Sequence, residues 1–185
     1  DEEPGHFFKV YGPSQDKFLK LPAQKRFKQA LFNYPVPLLL QSTVFRTSAL
    51  REQGGWDTNL MLDDYPMFVK LLVAYPDFGS EFAYLPDIPV VKYRQHQSNS
   101  FRNIPRQYAM VSQAIQYLAS GFLADFATAK ALAYYSLVAI KNKNTVALSK
   151  MVNASSYRVC FFSLFYFAEI PLTKAVGYFK RVITN

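Results

Sequence analysis

Residues 54–75 read GGWDTNLMLDDYPMFVKLLVAY, and the fold turns on how this stretch is read. Its second half is an amphipathic helix. Met67, Phe68, Leu71, Leu72 and Tyr75 recur at spacings that form one stripe, so the spacing predicts a helix from Leu62 to Tyr75. Pro66 falls early, where a missing N–H costs little, and Pro76 closes the segment. Asp63 and Asp64 therefore sit at the helix N-terminus, where the positive end of the helix favours ionised carboxylates. Its first half is a turn. Gly54 stops a short helix expected over Phe45 to Gln53, and Gly55 lets the chain bend sharply before Trp56 and Asp57.

Three chemistries suit the acidic pair. It can be an N-cap with a solvated first-turn acid. It can contribute carboxylate oxygens to a hard cation, although adjacent aspartates chelate poorly without a third ligand. It can also supply a general base that takes a proton from a hydroxyl nucleophile. Trp56 either packs on a core or faces a sugar ring.

Outward from this stretch, the flanks differ. Residues 1–23 are rich in turn formers, with a short strand expected at Phe7–Val10. A short helix with a basic face of Lys25, Arg26 and Lys28 is expected from Ala23 to Phe32. Leu38–Leu40, Phe82–Leu85 and Ile88–Tyr93 read as short strands edged by prolines. Arg94 and His96 end the last of these, two residues apart, so both point to one side. Arginine there suits a phosphate and histidine a metal or phosphate. Ser98, Asn99 and Ser100 follow in a turn.

The last 85 residues read as helices. Pro105 opens one that ends at Gly121. Phe122 to about Lys141 forms an alanine-rich second, and residues 144–153 a third. An aromatic fourth runs from Ser156 to Glu169, and Pro171 is expected to separate it from a basic helix holding Lys174, Lys180 and Arg181. No stretch reads as the 18–20 or so uncharged apolar residues of a membrane span.

Charge divides the same way. Residues 1–100 balance 11 Lys and Arg against 11 Asp and Glu, whereas residues 101–185 carry 10 against 2. The whole excess of +8 lies on the second part. Such a block suits phosphate-rich polymers or anionic membranes. With the cations spread over several helices and no recognised nucleic-acid motif, no nucleic-acid partner is expected. Cys160 is the single cysteine, which excludes an internal disulfide and a cysteine-based zinc module.

Taken in order, Gln41 to Leu50, Gly54 to Asp57, Asp63-Asp64, Lys70 and Tyr93 to Ser100 resemble glycosyltransferase family 2, across roughly a third of the chain. The resemblance implies an α/β GT-A fold, with its acceptor-side half over residues 1–103 and a basic, aromatic-rich helical region over residues 104–185. It implies an inverting transfer from a nucleotide-diphospho-sugar to a glycan or lipid-linked acceptor, in polysaccharide or cell-surface glycan synthesis. Asp64 would be the catalytic base, with Asp63, Trp56 and Gly55 on the acceptor. Arg94 and His96 would lie at the edge of the donor diphosphate or its metal. A divalent cation, magnesium or manganese, is implied, but the Asp-x-Asp motif that would hold it is not among these residues. The expectation is therefore a C-terminal portion, inactive alone, cytoplasmic and peripheral on the inner face of the membrane. A rival reading is a non-enzymatic helical module for anionic membranes or a partner protein.

Overall fold

The computed structural model describes residues 15–33, 43–83 and 103–183, the last stretch with side chains as far as residue 170. The chain divides into two compact units, Asp1–His96 and Gln97–Asn185.

In the first unit, a helical turn at residues 15–19 precedes α1 (Ala23–Phe32), α2 (Thr47–Glu52) and α3 (Asp64–Ala74). Helix α3 is the centre. Tyr65, Met67, Phe68, Val69, Leu71 and Leu72 are all buried. Ala30 and Leu31 of α1 are buried with them, and the two helices pack together. Phe45 meets Phe68 edge to face with ring centroids 6.1 Å apart. At about 25 cal/mol per Å² of apolar surface, each such side chain contributes about 2 kcal/mol before the entropy of ordering is subtracted.

Arg26 does not join Lys25 and Lys28 on an exposed basic face. Its side chain is 1% exposed. The guanidinium donates to the carbonyl of Leu19 through Nη1 and to those of Leu72 and Pro76 through Nη2, each at 2.8 Å. It also lies 4.9 Å from the centre of the Phe82 ring. Its planar fork ties α1 to the helical turn before it and to the end of α3, a task a lysine ammonium cannot match. Tyr65 adds a second tie, its hydroxyl donating to the Ala30 carbonyl.

The expected α/β GT-A fold is not what these residues form. The described residues are mostly helical and contain no strand. Where Phe82–Leu85 was expected to extend, Phe82 makes only an isolated bridge with Phe78. Gly79 N–H donates to the Phe82 carbonyl at 2.7 Å, so the chain folds back on itself there, and Tyr84 and Leu85 lie outside the described residues. A short apolar run becomes a strand only when a second strand satisfies its backbone groups. The other expected strands, at Phe7–Val10, Leu38–Leu40 and Ile88–Tyr93, lie outside the described residues.

The second unit is α4 (Ile104–Leu118), α5 (Gly121–Lys141), α6 (Thr145–Asn153) and α7 (Tyr157–Ile183). Side chains start three of them. Asn103 Oδ1 accepts from Arg106 N–H, Asn144 Oδ1 from Ala147 N–H and Ser156 Oγ from Val159 N–H, each satisfying a donor the helix itself leaves free. Helix α5 is central, with α4, α6 and α7 packed on it. Ala129, Ala133 and Ala139 are fully buried, and their small side chains let the neighbours approach closely. Helix α5 is long and apolar enough to cross a membrane, but half of that window is buried by its neighbours. Two expected breaks fall elsewhere. Gly121 opens α5, with φ of 60°, rather than closing α4, and α7 runs through Pro171 without interruption.

Candidate functional site

Helix α2 ends in a paired closure. Gly55 N–H donates to the Leu50 carbonyl at 2.9 Å and Gly54 N–H to that of Arg51 at 3.0 Å. This is the Schellman arrangement, which requires a left-handed residue just past the helix. Both glycines are left-handed, with φ of 85° and 68°. A Cβ at either would meet nothing within 4 Å, so the requirement comes from the backbone and not from space. Lys70 of α3 reaches back to donate to the Gln53 carbonyl at 2.6 Å. Lys70 thereby fixes the end of α2 against α3, a structural role that the family pattern did not specify.

The chain then runs from Gly55 to α3. Trp56 is 41% exposed. Asp57 Oδ1 accepts from both the backbone N–H and the side-chain amide of Asn59, at 2.9 and 3.0 Å. That local turn shapes the approach to the acidic pair.

Asp63 occupies the N-cap position of α3 but its side chain caps nothing, and its backbone is already helical. Asp64 is the first helical residue. Its Oδ1 accepts from the N–H of Tyr65 at 2.7 Å. The carboxyl is held above the usual aspartate range, first because burial penalises its charged form and then because Asp63 lies beside it. Hydrogen bonds from the Tyr65 and Asp64 backbone pull the other way and do not win. The position at a helix N-terminus alone pointed to a readily ionised acid. Burial under the first turn of a core-packed helix reverses the direction. No lysine or arginine among the described residues pairs with Asp64.

Asp63 and Asp64 are thus neighbours on one helix start, while Gly55 and Trp56 stand at the other end of the connecting segment. The two ends are joined through α2, Lys70 and α3. Arg94 and His96 lie outside the described residues. No group of three His, Cys, Asp or Glu side chains that could hold a metal ion occurs among the described residues. Asp63 and Asp64 have no third ligand of this kind among the described residues, and His96, the residue implied at the edge of the metal, lies outside them.

Sequence reasoning missed Arg26, which holds up the platform under this segment. A signal existed: Arg26 lies four residues before Ala30, on the same helix face, but a cation at that position reads first as surface. No protein-family model matches the chain, and no curated protein or solved structure matches it.

Proposed function

We propose that the first unit provides the acceptor side of a sugar-transfer site, with Asp64 as general base. The reading rests on one observation. Asp64 is a half-buried acid whose carboxyl is pushed up by burial, beside a second acid, and no lysine or arginine among the described residues pairs with it. Asp64 accepts one backbone N–H, from Tyr65, but has no charged partner among the described residues, and a buried acid perturbed in this way is a candidate for a working group. A base is most effective when its pKa lies nearer the working pH, and burial moves Asp64 in that direction.

In this reading the acceptor hydroxyl gives its proton to the Asp64 carboxylate while its oxygen bonds to the anomeric carbon. On the opposite face the bond from that carbon to the diphosphate oxygen breaks, and the departing nucleoside diphosphate keeps the electron pair. The anomeric centre inverts. Asp63 raises the basicity of Asp64 through its charge. Trp56 offers an aromatic face to the acceptor ring, and Gly54-Gly55 set its position. Arg94 and His96 keep their implied place at the donor diphosphate, and the donor is a nucleotide-diphospho-sugar.

The test is nucleoside diphosphate release from UDP-, GDP- and dTDP-sugars by the full-length gene product, with and without Asp64→Asn. Loss of a positioned base lowers kcat by about 10²- to 10⁴-fold, with the fold intact by circular dichroism. An Asp64→Asn protein that keeps the parent rate removes Asp64 from the role.

A further inference from the structure

Helix α7 leaves one face uncovered. Tyr157, Phe161, Leu164 and Phe165 recur at helical spacing and are 83, 48, 64 and 64% exposed. They form a continuous layer: the Tyr157 and Phe161 rings stack with centroids 6.5 Å apart, and Phe161 meets Phe165 edge to face at 5.8 Å. Phe122, at the start of α5 and 64% exposed, extends the patch, with the Arg158 guanidinium 5.7 Å from its ring centre. The opposite side of α7 is spent on the core, where Val159, Ser163 and Ile170 are buried and Phe162 stacks on Phe126 of α5. Isolated surface hydrophobics need no explanation, but a contiguous aromatic layer along a helix does.

Charge selects the occupant. Residues 101–185 hold 10 cations and 2 acids. Both acids are already engaged: Asp125 lies 4.0 Å from Arg158, and Glu169 accepts from Lys130 at 2.7 Å. A second copy of the chain would bring the same positive unit against this face, and the like charges would oppose the association. A surface that is apolar within and negative at its boundary fits both features. We propose that this face of α7 lies in the interface of an anionic lipid bilayer, with Tyr157, Phe161, Leu164, Phe165 and Phe122 entering the headgroup–acyl boundary while the net positive charge of residues 101–185 draws the unit to lipid phosphates. The geometry is that of an amphipathic helix lying in the membrane plane, which combines buried apolar area with attraction to anionic lipid. The proposal stands apart from sugar transfer, since it uses no residue of that site.

The experiment is cosedimentation of the full 185-residue chain with phosphatidylcholine vesicles and with mixed phosphatidylcholine–phosphatidylserine vesicles, beside sedimentation velocity without lipid. A triple variant, Phe161→Ser, Leu164→Ser and Phe165→Ser, changes only exposed positions, and its helicity is checked in parallel. The parent is expected to bind the mixed vesicles more tightly than the neutral ones and to release with added salt. The triple variant is expected to bind them about 10-fold or more weakly, as the loss of three inserted apolar groups implies. A parent that binds neither vesicle, a triple variant that binds like the parent, or a parent dimer that the triple variant dissociates would each overturn the assignment, the last in favour of a second copy.

Discussion

Helices α2 and α5 end in the same pair of backbone hydrogen bonds, with different residues at the critical position. In the first unit Gly54 and Gly55 close on Arg51 and Leu50. In the second, Lys143 N–H donates to Ile140 and Asn144 N–H to Ala139, each at 2.9 Å. There the left-handed residue is Lys143, with φ of 52°. A side-chained residue in that conformation costs about 1–2 kcal/mol. The second unit absorbs this because long helices pack around an alanine-lined centre. The first unit has shorter helices and relies on side chains that reach carbonyls: Arg26 to three of them, Tyr65 to Ala30 and Lys70 to Gln53. A candidate site thus rests on a small core held by polar ties, whereas the second unit is held by packing.

The largest effect expected from that contrast is at Arg26. Arg26→Met removes the donor to two buried carbonyls and one part-buried carbonyl, and at about 1–3 kcal/mol for each unsatisfied buried group the first unit loses about 3 kcal/mol or more. Denaturant unfolding read by hydrogen exchange at α1 and α3 amides measures it, and unchanged protection there would show that the ties are not what holds the unit. Overpacking probes the other side. Ala133→Leu inserts a large side chain where none of the residue is exposed, and should lower stability by about 1–3 kcal/mol. An unchanged melting temperature would mean that α5 is not closely packed.

The two helix ends can be exchanged. Lys143→Gly should raise stability by about 1 kcal/mol, and Gly54→Ala should lower it by about as much, because only the second places a Cβ on a left-handed backbone. The smallest effect is at Ser136, whose hydroxyl is buried in α5 with no hydrogen-bond partner among the described residues. Ser136→Ala should be neutral or stabilising by up to about 1 kcal/mol in a thermal melt. A clear loss there would point to a partner for the hydroxyl.

The chain itself disclosed much of this. The stripe over Leu62–Tyr75 and the stop at Gly54 correspond to α3 and α2, and the alanine-rich run to α5. These are local signals, written in spacing and in the backbone needs of glycine. What was not legible depends on distant partners. Arg26 is buried because the carbonyls of Leu19, Leu72 and Pro76 converge on it, and nothing near residue 26 announces residue 76. Phe82 resembles the start of a strand until Gly79 folds back on it. Pro171 resembles a break, yet α7 continues past the one backbone bond that proline removes. At Asp64 the position at a helix start was readable, but the direction of its titration was set by burial, which the sequence does not state.

The central claim concerns that direction, and the pH dependence of sugar transfer tests it most directly. A carboxyl raised in the folded state favours its protonated form. Any stability it contributes is therefore present below the unfolded aspartate pKa and lost as pH rises through the higher folded value. Catalysis runs the opposite way, since a base works only when ionised. We expect kcat/KM to fall on the acid side with a limb above the ordinary aspartate range and to level off above it. Asp63→Asn, which removes the neighbouring negative charge, should shift that limb to lower pH. A limb that stays in place in Asp63→Asn, or survives in Asp64→Asn at the parent rate, would contradict the account.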